Sequence, residues 1–105
     1  MKHEHRRELR ARVYDACYGH CCYCGNELPA TEFTLDHVTP LCRGGRTVST
    51  NLVVCCQKCN WLKLSRPLDE FLRIQPDAAR HFVRWAFSVP RLIRAGAALL
   101  ATKAA

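Results

Sequence analysis

The sequence holds no uncharged apolar run long enough for a bilayer. Its most apolar stretch, from Phe82 to Leu100, carries Arg84, Pro90, Arg91 and Arg94, and charges inside lipid are costly. The opening residues, Met1-Lys2-His3-Glu4-His5-Arg6-Arg7-Glu8, lack the apolar segment of a secretory signal. A cytoplasmic, non-membrane protein is therefore expected. Glycine and proline number only 5 each, which excludes collagen-like and low-complexity classes. Acids are scarce too: 9 Asp+Glu stand against 16 Lys+Arg, for a formal charge of +7. Such an excess favours an anionic partner, a nucleic acid or a membrane surface. With 105 residues there is no room for two packed domains, and 49% hydrophobic content excludes wholesale disorder.

What the sequence does have is cysteine, 8 in all. A core this small often needs a covalent or metal staple. Without export the thiols sit in a reducing compartment, where metal binding is favoured over disulfides. A disulfide-linked framework is the alternative.

One domain, 1–105, is expected, in three zones. Residues 1–16 read as a basic helix with Leu9, Val13 and Ala16 at helical spacing. Residues 17–66 hold every cysteine and two β-like runs, Phe33-Thr34-Leu35 and Leu52-Val53-Val54. Between the runs, Pro40-Leu41-Cys42-Arg43-Gly44-Gly45 reads as a loop. Residues 67–105 read as a helical C-terminal extension, with Pro67 and Pro76 at helix starts and Pro90 as a breaker. Phe71, Leu72, Ile74, Phe82, Val83, Trp85, Phe87 and Val89 are expected to cover the core. The basic excess is shared among the zones, so it belongs to the folded body rather than to a tail.

Cys21/Cys24 and Cys56/Cys59 each have the Cys-x-x-Cys spacing. A two-residue gap lets a tight turn aim both sulfurs at one tetrahedral Zn²⁺. Gly25, directly after Cys24, suits such a turn. Two pairs point to one structural zinc held by four thiolates. Cys22 and Cys55 adjoin these ligands, and either could replace its neighbour; with Cys17 and Cys42 they are otherwise expected to be buried, apolar thiols.

A plain zinc ribbon does not need the polar residues lying between the pairs. Asp36-His37 closes a β-like run, Asn51 opens the second, and Asn60 follows Cys59, with Lys63 three residues on. If Cys59 begins a helix, Asn60 and Lys63 share one face of its first turn. In isolation each has a bland reading: a surface turn, a helix cap, a solvated lysine. Trp61 reads either as core or as a nucleic-acid contact, and His3, His5, His20 and His81 read as solvated or packing residues.

The ordered run Cys21-x2-Cys24-Gly25, Leu35-Asp36-His37-Val38-x-Pro40-Leu41-x-Arg43-Gly44-Gly45, Asn51-Leu52, Cys56-x2-Cys59-Asn60-x2-Lys63 closely resembles the HNH endonucleases. The resemblance covers residues 12–66. It implies an α+β fold: a small ββα-metal, treble-clef-like zinc finger with a four-cysteine site, here flanked by N- and C-terminal helices. It also implies a phosphodiesterase acting on DNA, expected to be double-stranded, with His37 as general base. Asp36 and Asn60 would then hold a catalytic divalent ion, and Asn51 would organise the loop that holds the base. One carboxylate and one amide suit Mg²⁺ or Mn²⁺. An imidazole titrates near pH ~6.5 in water and can accept a proton at neutral pH. Lys63, Arg43 and Arg46 are the nearest cations for backbone phosphates. The competing reading is a non-catalytic zinc-finger DNA-binding or scaffold module of the same fold.

Overall fold

The computed structural model describes the backbone of residues 2–104 and the side chains of residues 5–102, so His3 lies outside the described side chains. Helix α1 spans Lys2–Ala16. It is polar on most sides and buries only a narrow stripe: Val13 is fully buried, and Cys17 follows it one turn on. Arg10 caps the neighbouring loop, its guanidinium donating to the Phe33 carbonyl at 3.0 Å while lying over the Phe33 ring. Tyr14 donates its hydroxyl to the Leu28 carbonyl at 2.6 Å. These contacts tie α1 to the segment that leads into the sheet.

Strands β1 (Thr34–His37) and β2 (Leu52–Cys55) pair antiparallel, with Asp36 opposite Val53 and His37 opposite Leu52. All four residues of β2 are buried, as a continuous apolar strand covered on both faces must be. Helix α1 covers it on one side, and α2 (Gln57–Lys63) packs against β1. A two-stranded ribbon is marginal by itself in water, and a seven-residue helix is shorter than an isolated helix can sustain. Both therefore depend on what surrounds them.

Residues 38–51 connect the strands through two single 3₁₀ turns, Leu41–Arg43 and Ser49–Asn51. Gly44 closes the first turn at φ +87°, and a Cβ on Gly45 would collide with the Thr39 carbonyl. The chain can double back here only because both positions lack a side chain. Asn51 clamps the loop: its Oδ1 accepts from the Thr39 N–H at 2.9 Å, and its Nδ2 donates to the carbonyls of Thr39 and Arg46.

Three helices follow, α3 (Leu68–Ile74), α4 (Pro76–Trp85) and α5 (Arg91–Ala104). Pro67 precedes α3 and Pro76 opens α4, where a missing N–H costs nothing. Pro90 stands between α4 and α5, which pack on each other. Phe71, Leu72, Phe82 and Val89 close the core as expected, but Ile74 and Phe87 are 52% and 48% exposed. Phe87 lies instead against the Tyr18 ring and under the Arg94 guanidinium. Among the described residues no helix is long and apolar enough to cross a membrane.

Candidate active site and metal centre

The sulfurs of Cys21, Cys24, Cys56 and Cys59 all lie within 4.8 Å of one another, and Cys24 and Cys56 are 3.9 Å apart. Four thiolates about 2.3 Å from one tetrahedral ion would stand roughly 3.8 Å apart, so the cluster is compatible with zinc. The first pair comes from the turn after α1. There Gly25 has φ +79°, and its N–H donates to the Cys21 carbonyl. The second pair comes from the start of α2. Cys56 is the N-cap, its sulfur accepting from the Cys59 N–H at 3.4 Å, and the Cys21 sulfur likewise accepts from the amides of Tyr23 and Cys24. Amide N–H groups aimed at sulfur stabilise thiolate rather than thiol. Helix α2 thus begins at Gln57, not at Cys59.

The thiols also repel one another's ionisation. Hydrogen bonding from Cys59 draws Cys21 down to about 4, burial lifts Cys24 to about 11, and bonding to the Cys21 sulfur pushes Cys59 far up. Protons alone allow little negative charge in this cluster; a divalent cation removes that conflict, which is the chemistry of a metal site. Cys22 and Cys55 lie outside the cluster, fully buried, with burial raising both thiols. Cys17 is buried as well, but Cys42 departs from expectation: it is exposed on the Leu41–Arg43 turn, where it borders a cleft shared with Asp36 and His37.

Next to this cluster lies an open cleft of about 350 Å³ bordered by Asp36, His37, Leu41, Asn60 and Leu64. Neighbours on a strand project to opposite faces. Asp36 accordingly turns to Tyr23 and Lys63, and His37 turns to the loop, where its Nε2 is 2.9 Å from the Thr47 hydroxyl. Asn60 reaches the cleft from the first turn of α2. Asn51 does not border it; every polar atom of its side chain is spent on the loop backbone. Arg43 and Arg46 are exposed on that loop.

Lys63 departs from the role of a phosphate contact. It is fully buried, with Nζ 3.0 Å from Asp36 Oδ2 and donating to the His37 carbonyl at 2.9 Å. A buried ammonium needs such partners, and here it ties α2 to the end of β1. Tyr23 donates to the same Asp36 oxygen at 2.6 Å. Burial raises the Asp36 carboxyl above its ordinary range, with the Lys63 charge and the Tyr23 bond pulling the other way. Asp36 borders the cleft although it is only 4% exposed, and its Oδ1 takes part in neither contact.

Two of these residues carried no signal in the sequence. Tyr23 reads as filler inside Cys21-x-x-Cys24, and Thr47 as one more loop hydroxyl. Only the fold joins Tyr23 to Asp36 and Thr47 to His37. His20, read as solvated or packing, stacks on Trp85 with ring centroids 3.6 Å apart.

The description "HNH endonuclease" belongs to a family model that matches residues 21–76. Among solved structures, the Type II-C Cas9 enzyme from Actinomyces naeslundii aligns with 93% of this chain at a TM-score of 0.58 and 22% identity. The alignment takes in 12% of that enzyme's chain, so the likeness concerns the fold of a small part of a far larger protein. Among curated proteins none matches. The family match runs over more than half the chain and takes in both the four-cysteine cluster and the cleft: this protein belongs to the HNH endonuclease family.

Proposed function

We propose that the chain is a metal-dependent endonuclease that hydrolyses DNA phosphodiester bonds, with Cys21, Cys24, Cys56 and Cys59 holding a structural zinc. The observation that carries this reading is the shared cleft of Asp36, His37 and Asn60. The loop whose Pro40-Leu41-Cys42 borders the cleft also carries the exposed Arg43 and Arg46, and residues 37–68 contain no acid. Those two arginines suit a polyanion beside the cleft.

Asp36, through Oδ1, and Asn60 would hold a divalent ion, Mg²⁺ or Mn²⁺, which when bound supplies charge stabilisation for the phosphorane and the departing 3′-oxygen. His37 takes the proton of the attacking water. Its Nε2 faces Thr47, and an Nε2–H donating to that hydroxyl leaves the Nδ1 lone pair for the proton. Asn51 fixes the loop that carries Thr47, and Lys63 anchors the His37 carbonyl, so the imidazole is positioned from both ends. Arg43 and Arg46 hold flanking phosphates from the exposed side of the loop. No cysteine is paired in a disulfide, and a reducing, cytoplasmic setting would leave the cluster free for metal.

One observation favours the non-catalytic DNA-binding module instead: Lys63 already neutralises Asp36 and competes with any cation. A single assay separates the two. Supercoiled plasmid is incubated with Mg²⁺ or Mn²⁺, with and without EDTA, using the wild type and His37→Ala. Metal-dependent cutting that His37→Ala abolishes supports the nuclease; binding without cutting supports the module.

A further inference from the structure

Two large apolar side chains stand in solvent on the border of the cleft, and a third lies close to them in sequence. Leu41 and Leu64 border it directly and are each 60% exposed, and Trp61, one residue beyond Asn60, is 71% exposed. Trp61 is therefore no core residue. Single exposed hydrophobes are ordinary, whereas several gathered at one site mark a binding surface. Leu64 adds a second observation. It ends α2 at φ +54°, ψ −135°, a conformation that L side chains rarely adopt and that glycine takes freely. Strain of this kind persists where the surroundings demand it and gathers at functional sites. Here it turns a leucine outward at the mouth of the cleft.

The surroundings identify the occupant. Residues 37–68 carry basic side chains and no acidic one, and Arg43 and Arg46, on the same loop as Leu41, are exposed. An apolar edge inside a basic border suits a molecule with an anionic backbone and stacked apolar rings. Proteins that meet such a molecule insert leucine-like wedges between base steps or stack an aromatic ring on an opened base.

We propose that Leu41, Trp61 and Leu64 form a wedge that enters the base stack beside the cleft, so that this site acts by unstacking the step it cleaves. The proposal rests on the nuclease reading and adds its substrate class: DNA whose stacking is already interrupted, by a bulge or mismatch, is preferred to continuous duplex. An interrupted step needs no opening, so the wedge matters little there. On continuous duplex the wedge supplies the opening.

The test uses the full, zinc-loaded chain and two duplexes of one sequence, continuous or with a two-nucleotide bulge, each carrying 2-aminopurine at alternate purines. The bulged duplex should be cut about tenfold faster, the size expected from one stacking interaction. Leu64→Gly and Trp61→Ala should each lose about tenfold on the continuous duplex and little on the bulged one. Leu64→Gly should melt no lower than wild type, because glycine relieves the strained backbone. Binding by His37→Ala should raise 2-aminopurine fluorescence in the continuous duplex, and adding Leu64→Gly should remove that rise. Equal losses on both duplexes, or no loss on either, would overturn the wedge while leaving the nuclease standing. If neither duplex is cut with any metal, the nuclease reading falls, and the fluorescence change alone decides the wedge.

Discussion

Replacing Lys63 by methionine removes a charge but keeps most of the side-chain volume, so the substitution isolates what the ammonium does. Lys63 is fully buried and Asp36 is 4% exposed, with 3.0 Å between Nζ and Oδ2. The variant leaves a nearly buried carboxylate with the Tyr23 hydroxyl as its remaining side-chain partner. It also leaves the His37 carbonyl without its donor. Removing one member of a buried pair costs about 3–5 kcal/mol, a large share of the roughly 5–15 kcal/mol that holds a domain together. At about 4–8 °C per kcal/mol for a domain of this size, the melting temperature should fall by at least ~12 °C. Thermal unfolding followed by circular dichroism in zinc-saturated buffer measures the drop. The double variant Asp36→Asn/Lys63→Met should recover part of it, since no unpaired charge remains. Added salt should change the loss little, because Nζ and Oδ2 face each other at 3.0 Å with both side chains buried, where screening is weak. The opposite outcome is equally clear. A loss below ~1 kcal/mol, with DNA binding weakened and its salt slope reduced by about one, is the signature of a phosphate contact. That result would refute the buried-anchor assignment.

Chelation should unfold the chain, and Cys56→Ser should prevent folding at ordinary zinc levels, since Cys56 is both a cluster member and the N-cap of α2; a helical spectrum and cooperative melt unchanged by chelator would contradict this. Cys42 is the exposed member of the eight cysteines, so a thiol reagent should label the zinc-loaded protein quickly at that residue, as peptide mapping will show. Rapid labelling of Cys24 or Cys56 under the same conditions would mean that no metal protects them. Thr47→Val should lower kcat several-fold with little change in KM or melting temperature, because the hydroxyl positions His37. Thr47→Ser should restore kcat; an effect on KM alone would place Thr47 in binding instead.

Much of this site could be read along the chain because its parts are local. A Cys-x-x-Cys turn aims two sulfurs by the backbone it imposes, and Cys21/Cys24 and Cys56/Cys59 converge as their spacing indicates. The β-like runs form the two strands, displaced by a residue or two at the first, where Asp36 and His37 themselves join β1. The helices after Pro67 and Pro76 begin where a missing N–H and following acids favour them. Asp36, His37 and Asn60 border one cleft because their order between the two cysteine pairs fixes which strand and helix carry them.

What escaped the sequence depends on burial and on partners remote along the chain. Lys63 lies three residues after Asn60, where a cation reads as solvated; only the packing of α2 on β1 buries it against Asp36, 27 positions away. Tyr23 and Thr47 gain their roles through contacts that no short-range pattern encodes. Cys42, apolar by type, is left outside by a loop whose curvature two glycines set. Leu64 is an ordinary residue until the end of α2 forces it to positive φ and outward. The sequence by itself determined the four-cysteine cluster, most of the elements and the family; the tertiary structure decided which charges are anchors and which apolar groups face solvent. The reason is physical. Ligand spacing is a property of the local backbone, whereas desolvation is a property of everything packed around a group.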